Sequence, residues 1–208
     1  MKKFFFFIPF IAAFFAFSGA ASAQAVDTSN PDVMVKTVTQ QVIDAVRADK
    51  TIQTGNIGAV TKLVNEKILP YTDFRRTTQL AMGRNWRTAT PEQQTQLADG
   101  FRALLVRTYS GALNQYRNET IEYRPLKMNP GDTEVTVRTQ VTKTSGSPVQ
   151  IDYSMEKLAD GWKAYDVIVA GVSLVTNYRD EFNAQIKSGG IDGLIKTLND
   201  RNKGAPAK

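Results

Sequence analysis

Three stretches of sequence decide the fold: VTVRTQV at residues 135–141, VQIDYSM at 149–155 and WKAYDVIVA at 162–170. The first two stretches alternate apolar and polar side chains with a period of two, which predicts β-strands with one buried and one solvated face. Turn-forming residues at 145–148 and at Asp160-Gly161 separate the three stretches. Together with a shorter alternating stretch at 121–123, they predict an antiparallel sheet of four strands in meander order.

The segments before and after these strands show the periodicity of amphipathic helices. Apolar residues at steps of three and four predict helices over 32–47, 57–68, 72–82, 91–116, 173–188 and 191–198. The clearest start is Thr90-Pro91-Glu92-Gln93, a capping box with proline in the first turn. Residues 199–208 are polar, and we expect a frayed tail there. The sequence therefore predicts an α+β fold whose helices cover one face of the sheet.

The first 23 residues have the order of a secretory signal peptide. A short basic start is followed by an apolar run over 4–17 and by the small residues Ala21-Ser22-Ala23. The run is shorter than the roughly 20 residues that a membrane-spanning helix needs. We therefore expect cleavage after Ala23 and a single exported domain over 24–208. Removing Lys2 and Lys3 lowers the formal net charge from +6 to +4.

Two residue types are missing from the composition, and their absence excludes whole classes of chemistry. The 208 residues include no His and no Cys. Triads that need an imidazole base, His-ligated metals, disulfides and redox thiols are all excluded. An exported chain without cysteine is typical of a bacterial periplasm. We expect no metal, no cofactor and no nucleic-acid partner, since the net charge is modest and no nucleic-acid-binding motif is present.

Seven short motifs occur in an order that is known from one protein family. They are YTDF at 71–74, MGRNWR at 82–87, ATPEQ at 89–93, LLVRTY at 104–109, GWKAYDV at 161–167, GVSLVTNYR at 171–179 and GIDGLI at 190–195. On these motifs, which extend over nearly the whole exported chain, the protein resembles the toluene-tolerance (MlaC) family.

The resemblance implies a fold and a function. The implied fold is a curved antiparallel sheet that, with helices on one face, encloses an apolar pocket for phospholipid acyl chains. The implied function is a monomeric periplasmic carrier that moves phospholipid between the outer and inner membranes and so maintains outer-membrane lipid asymmetry. The implied partners are a lipoprotein–porin complex at the outer membrane, a lipid transporter at the inner membrane and, transiently, the membrane surface.

Candidate residues for the pocket wall come from the helix stripes and strand faces that we expect to meet. A stripe alone does not separate a cavity wall from packed core, so ordinary core packing remains the alternative for each residue. The candidates are Phe74, Leu80, Trp86, Phe101, Leu104, Leu105, Thr108, Ala112, Val135, Val137, Ile151, Tyr153, Met155, Trp162, Val167, Val169, Leu174, Tyr178 and Phe182.

Arginines are concentrated in the third predicted helix and in the segment that follows it. Arg75, Arg76, Arg84 and Arg87 are candidates for a rim that meets a lipid head group or an anionic membrane surface, because a guanidinium binds phosphate in a bidentate manner. The alternative is a solvated surface with local ion pairs.

Two other classes of function compete with a carrier. In an enzyme, Asp166 would be a general base on a small hydrophobic substrate, with Tyr153, Tyr165 or Tyr178 as an oxyanion donor. We expect instead that Asp166 is structural and that the protein is not an enzyme, since a lone carboxylate is weak evidence for catalysis. In a pure adaptor, the helices would dock partner proteins without any cavity.

Overall fold

The sheet has five antiparallel strands in sequential order. In the computed structural model, which describes residues 25–111, 119–142 and 147–204, the order is β1-β2-β3-β4-β5. The strands are β1 Thr120–Tyr123, β2 Glu134–Thr142, β3 Val149–Leu158, β4 Gly161–Val169 and β5 Val172–Ser173. The four predicted strands are confirmed. The fifth has only two residues, too few to show alternation in the sequence.

The described ranges contain six α-helices. They are α1 Pro31–Ala48, α2 Lys50–Gln53, α3 Ile57–Lys67, α4 Phe74–Met82, α5 Pro91–Tyr109 and α6 Leu174–Lys203, with 3₁₀ turns at Leu69–Tyr71 and Gly83–Thr88. The helix α6 joins the last two predicted helices across a non-helical Gly190 with a φ of +69°. It continues past Asn199 to Lys203, where we expected a frayed tail. The predicted signal peptide at 1–23 and the candidate Ala112 lie outside the described residues.

The helix starts follow from local hydrogen bonds. Thr90 and Gln93 form the predicted capping box of α5, with each side chain bonded to the backbone of the other residue. The side chains of Asn56, Asp73 and Ser173 accept backbone N–H groups at the starts of α3, α4 and α6. These contacts satisfy donors that a helix leaves unpaired at its first turn.

One face of the sheet packs against α1 and is called the core face. Val137, Met155 and Trp162 on this face are at most 1% exposed and contact Met34 and Val35 of α1. Burying such side chains contributes roughly 1.5–3 kcal/mol each. The opposite face carries polar residues such as Arg138 and Gln150, which are exposed.

A β-bulge changes the face on which Asp166 lies. Met155 pairs with Ala164, but Ser154 pairs with Asp166, so Tyr165 is the extra residue of β4. Strict alternation along the strand would place Asp166 on the same face as Trp162 and Ala164. Because of the bulge, Asp166 lies on the opposite face. A bulge has this effect because the inserted residue shifts the period of two by one position.

A second core lies between α4, α5 and α6. Phe101 of α5 packs edge-on against Tyr178 and Phe182 of α6, with ring centroids 4.9 and 5.0 Å apart. Leu97 and Leu198 extend this cluster and are almost completely buried. The long helix α5 thus directs its most apolar stripe toward α6.

The segment before α1 is attached to the turn between β3 and β4. Trp162 N donates to Thr28 O at 2.8 Å, and Thr28 Oγ1 donates to Asp160 O at 3.2 Å. Gly161 has a φ of +115°, and a Cβ at this position would lie 2.3 Å from Thr28 Oγ1. The close approach therefore requires glycine.

None of the helices in the described ranges combines the length and the hydropathy needed to cross a membrane.

Candidate functional site

The candidate site is an apolar cavity of about 330 Å³ between α3, α5 and β4. Walls from α1, α4 and the start of α6 complete it. The residues that line it are Val42, Val60, Leu63, Val64, Ile68, Leu69, Thr72, Phe74, Thr77, Arg102, Leu105, Val106, Tyr109, Ser110, Ala164, Tyr165, Asp166, Val167, Val169 and Leu174.

Helical and strand periodicity explain why these side chains converge. Val60, Leu63 and Val64 lie on one side of α3, because positions three and four apart are neighbours on a helix surface. Leu105 and Tyr109 are spaced in the same way on α5. Residues from five helices and one strand therefore meet around one hollow.

Polar groups in the wall have partners within the protein. Thr77 Oγ1 donates to Tyr165 O at 2.7 Å, and Thr72 Oγ1 donates to Ile68 O at 3.0 Å. Arg102 lies 3.1 Å from the Asp99 carboxylate. A ligand would therefore meet mainly aliphatic and aromatic surface, which suits hydrocarbon better than a polar substrate.

Comparison with known proteins identifies the family. The family model described as MlaC protein matches residues 36–200. The chain belongs to the MlaC family. This confirms the resemblance found in the sequence motifs.

The chain is also similar to two curated relatives and to one solved structure. The toluene tolerance protein ttg2D of Pseudomonas putida is 28% identical over 174 residues, which are 83% of this chain and 80% of the relative. The intermembrane phospholipid transport system binding protein MlaC of Haemophilus influenzae is 22% identical over 201 residues, covering 95% and 92% of the two chains. A phospholipid-binding protein from Ralstonia solanacearum, solved in complex with a phospholipid, is 44% identical, with a TM-score of 0.80 and coverage of 84% and 97%.

Five of the predicted wall residues of this MlaC-family chain line the cavity. They are Phe74, Leu105, Val167, Val169 and Leu174. The residues that α3 contributes to the wall were not predicted from the sequence. The stripe of Val60, Leu63 and Val64 was visible in the sequence as an amphipathic helix, but nothing in it indicated a cavity instead of core.

The other predicted wall residues lie elsewhere. Trp86, Phe101, Leu104, Tyr178 and Phe182 belong to the core between α4, α5 and α6, and Leu80 lies beside it. Val135, Val137, Tyr153, Met155 and Trp162 belong to the core face of the sheet, where they pack near α1. Ile151 pairs with Val169 beside the cavity, and Thr108 is exposed. Contact of any of the predicted residues with lipid stays a prediction.

The four arginines predicted to form a rim are divided between three environments, and none of them lines the cavity. Arg76 binds Glu134 at 2.5 Å and the buried Glu156, and it lies 3.9 Å from the centre of the Tyr165 ring. Burial alone would lower the pKa of Arg76, but its hydrogen bonds to both carboxylates outweigh burial and raise the pKa. Arg75 donates to Gln94 Oε1 at 2.5 Å.

Arg84 and Arg87 line a separate groove, described below. The head-group role of all four arginines therefore remains a prediction, and their positions give it no support at the cavity itself.

Asp166 holds the start of α6 in place. Its carboxylate accepts Ser173 Oγ at 2.5 Å, Val175 N at 3.1 Å and its own neighbour Val167 N at 2.9 Å. Ser173 Oγ in turn accepts Thr176 N at 3.0 Å. This arrangement suits a structural carboxylate that joins β4, β5 and α6.

Across the residues that the structure describes, no group of three or more acidic side chains could hold a metal ion.

Proposed function

We propose that this MlaC-family chain is a monomeric periplasmic phospholipid carrier that holds acyl chains in the cavity between α3, α5 and β4. The observation that carries the proposal is the cavity itself, whose polar wall groups already have protein partners. The proposal is supported by the Ralstonia solanacearum relative, which is 44% identical and was solved with a phospholipid.

The size of the cavity limits what it can hold in this conformation. An apolar cavity of about 150 Å³ accepts one benzene molecule, so 330 Å³ accommodates about a dozen carbon atoms. That is most of one acyl chain. A lipid with two chains therefore requires the walls to separate, and α3 and α5 can do so without breaking the hydrogen bonds of the sheet.

The energetics of exchange explain why an apolar, unspecific wall is suitable. Removing two acyl chains of about 30 methylenes from water is worth about 24 kcal/mol, which exceeds the ceiling for non-covalent affinity. The relevant competitor is therefore the bilayer, which solvates the same chains equally well. A carrier that matches the bilayer can both load and release, whereas many specific polar contacts would prevent release.

The mouth of the cavity lies between the end of α5 and the end of β4. Tyr109 and Val169 line the cavity and are also exposed, by 42% and 38%, and Val172 beside Val169 is 58% exposed. Exposed apolar residues grouped at an opening are typical of a place where an apolar ligand enters. We infer that tails enter here and that the head group stays outside.

We further propose that the carrier works between the two membranes and keeps phospholipid out of the outer leaflet of the outer membrane. The support is the predicted signal peptide at 1–23, the family and the name of the Haemophilus influenzae relative, an intermembrane phospholipid transport system binding protein. Its partners would be a lipoprotein–porin complex and an inner-membrane lipid transporter.

The test of lipid binding is direct. The exported protein is purified from the periplasm without detergent, its lipids are extracted and quantified by mass spectrometry, and a periplasmic protein purified in parallel is the control. We expect phospholipid in near-stoichiometric amount in the carrier and none in the control. Repeated preparations without phospholipid would overturn the proposal.

The test of the shuttle uses cells. Deleting the gene should increase phospholipid in the outer leaflet of the outer membrane, measured by labelling of surface amines on lipid. Expression of the gene from a plasmid should reverse the increase. An unchanged outer leaflet would contradict the role in lipid asymmetry while leaving lipid binding intact.

A further inference from the structure

A second concave surface, which we call the basic groove, lies between α4, the 3₁₀ turn at Gly83–Thr88 and α6. Its volume is about 780 Å³. It is lined by Gln79, Leu80, Gly83, Arg84, Asn85, Trp86, Arg87, Arg179, Asn183, Ile186 and Lys187. It shares no lining residue with the lipid cavity.

The charge of the basic groove has one sign. Arg84, Arg87, Arg179 and Lys187 contribute four positive charges, and no Asp or Glu is among the lining residues. None of these four side chains forms an ion pair with any carboxylate in the described parts of the chain. Like charges held together without counter-charges favour a negatively charged occupant.

The framework of the basic groove is held by specific hydrogen bonds. Arg179 Nε donates to Leu80 O at 3.0 Å, which ties α6 to α4. Asn85 Nδ2 donates to Asn183 Oδ1 at 2.8 Å, which ties the 3₁₀ turn to α6. Trp86 is 6% exposed and supports the floor from below. The cations are therefore presented by a shape that is formed in advance, which lowers the cost of binding.

The shape of the surface decides which anionic partner fits. A flat bilayer cannot reach the floor of a groove between two helices, whereas a segment of polypeptide can. The half-buried Leu80 and Ile186 offer apolar contact between the charged walls. Arginine is among the residues that most often anchor protein interfaces.

We propose that the basic groove is a docking site for an acidic segment of a partner protein, with carboxylates of the segment binding its guanidinium groups and an apolar residue seated near Leu80 and Ile186. This site is independent of the proposed lipid cavity. It would let a partner bind the chain without covering the mouth between α5 and β4.

The experiment uses the exported full chain and a fluorescent peptide of glutamate interspersed with leucine, with binding followed by anisotropy at about 0.15 M salt. The control peptide has glutamine in place of glutamate. We expect Arg84→Gln/Arg87→Gln to weaken binding of the acidic peptide about tenfold, because two exposed ion pairs are lost. The exposed Lys187→Glu should weaken it in the same direction, which guards against a folding defect in the double variant.

A matched control removes the same charge elsewhere. Lys50→Gln/Lys62→Gln changes two exposed cations of α2 and α3 that do not line the basic groove, and it should bind the peptide as the unaltered chain does. Equal weakening in both double variants would overturn the proposal, since it would show an effect of net charge only. Binding to phosphatidylglycerol vesicles but not to the peptide would also overturn it and would assign the basic groove to membrane.

The same preparations separate this proposal from the carrier function. Phospholipid content, measured by mass spectrometry, should be equal in the unaltered chain and in Lys187→Glu, because the basic groove and the lipid cavity share no lining residue. Loss of phospholipid in the groove variant alone would overturn the assignment to a protein segment and would indicate a head-group site. If the unaltered chain binds the peptide but repeatedly yields no phospholipid, the carrier function is refuted and the basic groove remains supported.

Discussion

Filling the cavity from α5 should remove the bound lipid without unfolding the protein. Leu105 lines the cavity and is only partly buried. Leu105→Trp adds about six heavy atoms, which take the space of a similar number of methylenes; at about 0.8 kcal/mol each, the lost burial is about 5 kcal/mol against water. The bilayer keeps its full affinity for the chain, so the loss acts directly on the partition between membrane and carrier.

We expect the phospholipid content of Leu105→Trp to fall at least tenfold, after allowing about 1–3 kcal/mol for local adjustment of the walls. Lipid is quantified by mass spectrometry per mole of protein, and circular dichroism gives the melting temperature. Gln96→Trp places the same side chain on an exposed position of the same helix and should keep its lipid. Full lipid content in a folded Leu105→Trp would refute the assignment of the cavity. Val167→Phe, from the strand side, repeats the test if the first variant does not fold.

Three further predictions concern the ionisable side chains of Asp166, Arg76 and Tyr178. Asp166→Asn should lower the free energy of unfolding by about 1–3 kcal/mol, because charge-assisted hydrogen bonds to Ser173 and the start of α6 are weakened. The variant should keep its bound lipid. Loss of a catalytic turnover at unchanged stability would contradict the structural role. Arg76→Met should lower the free energy of unfolding, measured in urea, by about 3 kcal/mol, because the buried Glu156 is left without its cation. Adding Glu156→Met should recover most of this loss. An Arg76→Met variant as stable as the unaltered chain would refute the prediction. Burial raises the pKa of Tyr178. Its contribution to the free energy of unfolding is therefore complete below about pH 10 and is lost as the pH rises through the folded-state pKa. Tyr178→Phe should reduce this loss of stability in urea titrations at alkaline pH, and an identical pH profile would exclude the tyrosine as its source.

The sequence was sufficient for the sheet and most helices because their signals are local. Alternation in 135–141 and 149–155 depends only on which face meets the core, and the capping box at Thr90 depends only on four adjacent residues. The bulge at Tyr165 has no such signal. The apolar residues of β4 lie on both faces, so a shift of one position leaves the pattern equally acceptable.

The cavity wall was predicted only in part, for a physical reason. A stripe of apolar residues shows which side of an element is turned away from water, and both packed core and a cavity lie on that side. Phe101 and Leu105 belong to the same helix, yet Phe101 packs against Phe182 while Leu105 lines the hollow. Which of the two a residue of α5 meets depends on where α6, α3 and β4 lie along that helix, and these elements are far apart in the sequence.

The attachment of Thr28 beside Gly161 has a consequence for the order of assembly. The residues that it joins are 132 positions apart, and Met34 and Val35 of α1 are likewise buried by strands made much later. Contacts so distant along the chain form late, whereas the β3–β4 hairpin can close early. If the chain leaves the cytoplasm with its amino end first, the apolar face of α1 stays exposed until that hairpin has formed. The newly exported chain is then most in need of a chaperone at the very segment that emerges first.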